Sequence, residues 1–227
     1  TEGEWVIALP DGKRTDALDL SWDRVPPKGF SAESFDASDS PLIDLSQATL
    51  AGQQKTFWCA GDPTVLLNTP SRQALVAFTE TAVFDEQSLE AFSPELTKTE
   101  IHQNLQTGGY RQVPVLFDRP EAPLLWASRN NLTWYGGVAT FWKPEAIRPS
   151  ELVGRSILTR DPHTCVVTSM TDATGLVTRA VYDWRFLQPN QVTDVNDNVQ
   201  TATFDALGRI QEQRFRGTEN GSLVGYS

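Results

Sequence analysis

Thr171-Asp172-Ala173-Thr174-Gly175-Leu176-Val177 and Thr193-Asp194-Val195-Asn196-Asp197-Asn198-Val199, twenty-two residues apart, are two copies of one unit lying between Val167 and Ile210. The register continues without a gap through Ala180 and Ala202, Tyr182 and Phe204, then Asp183 and Asp205. A fixed period of about twenty residues marks a repeat architecture. One such unit cannot bury its own apolar face and must stack on the next.

Each copy reads as strand, tight turn, strand. Asp172 and Gly175 in the first turn, and Asp194 and Asn196 in the second, are residues that tolerate positive φ or bond back to their own backbone. After the first turn, Val177, Arg179 and Val181 alternate with Thr178, Ala180 and Tyr182, the period of a strand. The units close on an aromatic followed by aspartate: Tyr182-Asp183, then Phe204-Asp205-Ala206-Leu207-Gly208-Arg209, where Gly208 turns the chain again. Asp183 and Asp205 are expected to accept hydrogen bonds from turn amides. They are not read as an acid–base pair.

The Phe204–Arg209 run after Asp194-Val195-Asn196-Asp197-Asn198 resembles an Rhs, or YD, repeat. Tyr182-Asp183-Trp184-Arg185-Phe186-Leu187-Gln188-Pro189, followed by Val192-Thr193-Asp194, resembles more specifically the Rhs-bearing half of the B component of the insecticidal Tc toxin complexes. Two positions depart from the pattern. Asp197 stands where the repeat has Gly, and Trp184-Arg185 stands where the family often has Tyr-Arg. Upstream, Gly109-Tyr110, Trp134-Tyr135-Gly136-Gly137 and Phe141-Trp142-Lys143-Pro144 follow the family's order of a short helix ending in Gly-Tyr and then Trp-rich strands. The resemblance covers roughly Leu75 to Ser227.

Composition narrows the function classes. The 227 residues are 39% hydrophobic, enough for one sizeable domain or a piece of a larger protein. A formal net charge of −10 argues against nucleic acid or an anionic membrane as the main partner, since both demand clustered Lys and Arg. No apolar run approaches 18 residues, so no membrane span is expected. Thr1 is not an initiator Met, and the expectation is an internal fragment or a mature product. Cys59 and Cys165, with His102 and His163, give no spaced metal motif. A disulfide between the two cysteines and a pair of free thiols are both open readings.

Ahead of the repeats, Asp11-Gly12 between apolar runs reads as a hairpin turn. Residues 26–41 read as loop, and Phe57-Trp58-Cys59 and Val65-Leu66-Leu67 as short strands. Ala74 to Phe84 is a long strand with both faces partly apolar, so cover on both sides is expected. The one helix predicted lies near 97–107. Thr97-Lys98-Thr99-Glu100 is a capping box, Leu96 and Ile101 a staple, and Gly108-Gly109 the stop. The fold class expected is mainly β: antiparallel hairpins of an Rhs/YD-repeat shell, a stacked and spiralling sheet, with one short helix. Residues 1–150 form a β-rich shell segment and 151–227 the repeat hairpins, in one continuous fragment.

Three chemical readings compete with a purely structural one. Asp194, Asn196, Asn198 and Asp205 fall at positions 1, 3, 5 and 12 of an EF-hand-like calcium loop. Position 6 is Val199 instead of Gly, no helices flank the loop, and a hairpin turn is the favoured reading. Asp161 and His163 with a nearby hydroxyl could form a triad on paper, but no nucleophile-elbow spacing supports one. The seven Trp could stack on sugars in a carbohydrate-binding or adhesive module. In a repeat ending in Tyr182 or Phe204, packing between hairpins is favoured.

The resemblance implies the function. In that family the repeat strands wind into a hollow cocoon which, with the C component, encloses a cytotoxic domain before delivery through the channel-forming A component. The expected role is a structural, non-enzymatic wall of a secreted toxin, with no cofactor, metal or nucleic-acid partner. The family's self-cleaving aspartate site belongs to the C component, and no catalytic residue carries over. Open sheet edges should leave the fragment poorly behaved outside its parent chain.

Overall fold

The computed structural model describes residues 9–17, 49–68, 71–72, 74–116, 124–219 and 222–226. The apolar runs expected on either side of Asp11-Gly12, at 4–8 and 18–22, and the loop at 26–41 lie outside these residues. Among the described residues thirteen strands form one antiparallel sheet, open and not closed into a barrel. In chain order they are β1 (Gly12–Ala17), β2 (Thr49–Cys59), β3 (Leu75–Phe84), β4 (Arg111–Val113), β5 (Leu125–Tyr135), β6 (Pro144–Ser150), β7 (Ser156–Arg160), β8 (Val167–Thr171), β9 (Val177–Asp183), β10 (Gln188–Thr193), β11 (Val199–Phe204), β12 (Ile210–Glu219) and β13 (Ser222–Tyr226). From β5 to β13 each strand pairs with its sequence neighbour, and β4 pairs with β5 on the side of the main path. Two short α-helices, α1 (Glu86–Leu89) and α2 (Lys98–Thr107), interrupt the strands between β3 and β4.

The chain forms two compact units, and the long strands β2, β3 and β5 each contribute residues to both. One unit takes in β1, residues 79–129 and the helices. Here Leu125, Trp126 and Ala127 are all buried in succession, so β5 is covered on both faces. Leu125 and Ala127 pack with Ala82 and Val113. Trp126 packs with Leu89 and Ile101 of the two helices. The Thr97 capping box forms as expected: Thr97 Oγ1 accepts from the Glu100 amide, and Glu100 Oε2 accepts from the Thr97 amide at 2.9 Å. Leu96 and Leu105 pack against the cluster of Leu89, Ile101 and Trp126.

The other unit contains residues 57–78 and 130–227. Its core is small: Cys59, Ala77, Phe78 and Leu132, with Phe57 stacked on Phe78 at 4.8 Å between ring centroids. The Tyr135 hydroxyl donates to the Val76 carbonyl at 3.0 Å and joins β5 to β3. Beyond β6, hairpins β7 to β13 continue the sheet.

Three expectations need correction. Asp11-Gly12 is not a hairpin tip: Gly12 opens β1, which pairs antiparallel with β2, and the Asp11 carbonyl accepts from the Thr56 amide at 2.8 Å. A Cβ on Gly12 would stand 2.7 Å from Leu116 Cδ1, so the strand passes close under that side chain. Phe57-Trp58-Cys59 is the end of an eleven-residue strand, while 65–67 contributes a single bridge, Leu66 to Cys59. Asp62 Oδ1 holds the Thr64 amide and hydroxyl at 2.8 and 2.7 Å, which turns the chain before a longer strand can start. A second helix, α1, is capped by Asp85, whose Oδ1 accepts from the Ser88 amide at 2.7 Å. Of the two open readings for the cysteines, the free thiols hold: Cys59 is buried and Cys165 exposed.

Candidate functional site

The repeat residues Asp172, Gly175, Asp194, Asn196, Asp205, Gly208 and Arg209 build three turns of one design. Each aspartate accepts through Oδ1 from the amides two and four residues on. These are Thr174 and Leu176 at 2.8 and 2.9 Å, Asn196 and Asn198 at 2.8 and 2.9 Å, and Leu207 and Arg209 at 2.8 and 2.9 Å. Each aspartate carbonyl also accepts from the amide three residues on, at 3.1 Å in all three turns. That third residue is left-handed: φ is +88° at Gly175, +60° at Asp197 and +79° at Gly208. A type I turn ending in one left-handed residue suits a short hairpin loop, and glycine takes that position without strain. Asp197, at the position where the sequence departs from the repeat, adopts the same geometry.

Two further aspartates do the same task in looser loops. Asp161 accepts from the His163 and Val166 amides, both at 2.8 Å, with Thr164 left-handed at +58°. Asp183 accepts from the Arg185 amide at 3.0 Å and holds the Arg185 guanidinium at 2.6 Å, with Leu187 left-handed at +54°. Asp161, Asp172, Asp183, Asp194 and Asp205 are therefore spaced eleven residues apart throughout. The twenty-two-residue period spans two hairpins, and its copies are alternate turns on one edge of the sheet. The eleven-residue aspartate ladder was present in the sequence and is the finer signal.

These contacts set the electrostatics. All five carboxyls are held below the usual aspartate range. The leading cause is a hydrogen bond from the Val166 amide for Asp161, from Thr174 for Asp172, from Arg185 for Asp183, from Asn198 for Asp194 and from the Arg209 amide for Asp205. Their oxygens are engaged inside the turns. Asp194 Oδ2 accepts from Asn198 Nδ2 at 2.9 Å, and Asp205 Oδ2 from Arg209 Nε at 2.7 Å, so the EF-hand-like spacing resolves into two separate turns. No cluster of three potential metal ligands occurs among the described residues. Asp161 spends both oxygens on backbone amides, which opposes the triad drawn on paper from Asp161 and His163.

The aromatics that close the units serve the sheet. The Tyr182 hydroxyl donates to the Val167 carbonyl at 3.0 Å, spanning from β9 to the start of β8. Phe204 meets Phe186 edge-on at 6.2 Å, and Phe186 also lies over Gly208, so the two turns at 183 and 205 share one ring. Trp58 and Trp126 are buried, while Trp184 is 55% exposed. No helix of the described residues is long and apolar enough to cross a membrane.

No protein-family profile and no curated protein matches the chain. Solved structures do. A crystal structure of TcdB2-TccC3 superposes with a TM-score of 0.86 and is 42% identical over 98% of this chain, which spans 11% of that one. The Photorhabdus luminescens Tc holotoxin pore gives a TM-score of 0.86 and 42% identity over 98% of this chain, which spans 10% of that one. In sequence and in backbone, then, the chain belongs with the Tc toxin B–C component structures, as expected of a repeat-bearing region of such a toxin.

Proposed function

We propose that the chain is a wall segment of a hollow toxin cocoon that encloses the cytotoxic domain of a partner before delivery. The observation that carries this reading is the match along 98% of the chain to TcdB2-TccC3 at 42% identity. The physical construction suits a wall. Consecutive hairpins extend a sheet indefinitely, each of the turns from Asp161 to Asp205 is locked by its own aspartate, and the backbone groups of the strands are spent on their neighbours. Such a segment works as a barrier and not as an enzyme. Its partners are a C component carrying the enclosed domain and an A component forming the channel, and the assembly acts outside the producing cell.

Protease protection tests the reading. The full-length parent chain is co-produced with its C component, and added protease is followed by its attack on the enclosed domain. The domain should survive in the unaltered complex and become digestible when the Asp172 and Asp194 turns are both broken by alanine. Digestion at the same rate in the unaltered complex and in the free C component would overturn the proposal.

A further inference from the structure

The loop between β5 and β6, residues 136–143, holds an aromatic side chain out in solvent on a strained backbone. A single 3₁₀ turn, Val138–Thr140, is followed by two left-handed residues, Phe141 and Trp142, both at φ +54°. Bulky L-residues rarely adopt that conformation even singly, and the surrounding structure must hold them in it. Here the Phe141 amide donates to the Val138 carbonyl at 3.1 Å, the Trp142 amide to the Gly137 carbonyl at 3.2 Å and the Gly136 amide to the Lys143 carbonyl at 2.9 Å. The two rings part. Trp142 turns inward, where a Cβ on Gly61 would meet its Cζ3 at 3.4 Å. Phe141 turns outward and is 73% exposed, and Val138 beside it is 76% exposed. The Gly61 carbonyl accepts from the Tyr135 amide at 2.9 Å, which ties the loop after β2 to the same end of the sheet. That loop adds Val65, 67% exposed, and Leu66, 38% exposed.

From this geometry we propose that Phe141, with Val138, Val65 and Leu66, is an anchor that seats in an apolar pocket on a segment of the parent chain outside residues 1–227; the inference rests on the wall reading above. Size decides the kind of partner. The four side chains together expose roughly 450 Å², whereas each side of a stable interface between separate proteins buries about 800 Å². A patch of about half that size suffices when both surfaces belong to one chain, because docking then costs no free translation or rotation of a second molecule. Such surface is at hand, since this sequence spans 11% of the TcdB2-TccC3 chain that it matches. Polarity decides the chemistry of the pocket. Lys143 Nζ is spent on the Thr164 carbonyl, and Asp62 Oδ1 on the amide and hydroxyl of Thr64. The anchor therefore enters with its charged neighbours already engaged, which suits a dry and uncharged pocket. A backbone strained to hold a phenyl ring in water is accounted for once that ring is covered.

Photocrosslinking in the full-length parent chain tests this. A benzophenone side chain replaces Phe141, and crosslinked peptides are mapped by mass spectrometry at high dilution, with the chain alone and with its C and A components. The crosslink should run to parent-chain residues outside 1–227, within one molecule and without either component. Phe141→Ser should speed hydrogen exchange several-fold in residues 136–143 and in the crosslinked segment, and Phe141→Leu should restore most of the protection. Phe141 is exposed within residues 1–227, so exchange in β8 to β12 should stay unchanged in both variants. Crosslinks to a second copy, crosslinks that appear only when the C or A component is added, or no crosslink at all would overturn the anchor. Exchange unaffected by Phe141→Ser would do the same. Protease protection of the enclosed domain separates the two readings. If the domain stays protected, failure of the crosslink removes the anchor alone; if it is digested as fast as in the free C component, both readings fall.

Discussion

Gly175, Asp197 and Gly208 occupy one structural position in three turns, which makes them a controlled series. At Gly175 φ is +88° and an added Cβ would meet nothing within 4 Å. Gly175→Ala therefore isolates the cost of a left-handed L-residue, about 1–2 kcal/mol. At Gly208 φ is +79°, but a Cβ would sit 3.0 Å from Phe186 Cδ1 and 3.2 Å from Cγ. Gly208→Ala should cost more, because the ring that moves also touches Phe204. Asp197→Gly relieves the strain at φ +60° but adds unfolded-chain entropy, leaving a net gain below about 1 kcal/mol. Hydrogen exchange of the hairpin peptides, measured by mass spectrometry in the full-length parent chain, reads local opening directly. Gly175→Ala should speed exchange in β8–β9 by roughly 5–30-fold. Gly208→Ala should exceed that in β11–β12, and Asp197→Gly should leave β10–β11 unchanged or slower. Equal effects at Gly175 and Gly208, or faster exchange in Asp197→Gly, would refute the reasoning.

Three more outcomes are expected. The five turn carboxyls have depressed folded pKa values, so their contribution is complete above the unfolded value near 4 and is lost as pH falls through the folded values; hairpin protection, corrected for intrinsic exchange, should be flat from about pH 7 to 5 and fall below about 4, and loss between pH 5 and 7 would contradict this. Trp126→Ala should cost about 3–5 kcal/mol and release α1 and α2, because Trp126 packs under both and donates to Glu86 Oε1 at 3.2 Å; helix exchange unchanged from the parent would count against it. Burial pushes the Cys59 thiol up, whereas Cys165 is exposed, so a thiol reagent should label Cys165 in the native chain and Cys59 only after unfolding; equal native rates would be the contrary result.

The repeat hairpins were legible because their instructions are local. An aspartate, a left-handed residue three places on and an alternating run suffice to set strand, turn and register. The helix at α2 was legible for the same reason, through Thr97 and Glu100. What sequence reading missed is non-local. Asp11-Gly12 carries a hairpin signature, but β1 finds its partner in β2, and nothing near Gly12 encodes that choice. Helix α1 is a single turn held by Asp85 and by the packing of Leu89 on Trp126, 37 residues away in β5, so its own pattern is too short to read. The aspartate at every eleventh residue was overlooked because its flanks differ: a longer loop follows Asp161, and no glycine follows Asp183.

The most direct test of the wall is an electron cryomicroscopy structure of the full-length parent chain bound to its C component. The account predicts that the free edge of β13 is hydrogen-bonded to a further strand of the same sheet and that the sheet bounds a closed cavity containing the partner's domain. Residues 125–226 standing as a separate body, with β13 open to solvent and the partner's domain outside, would contradict it.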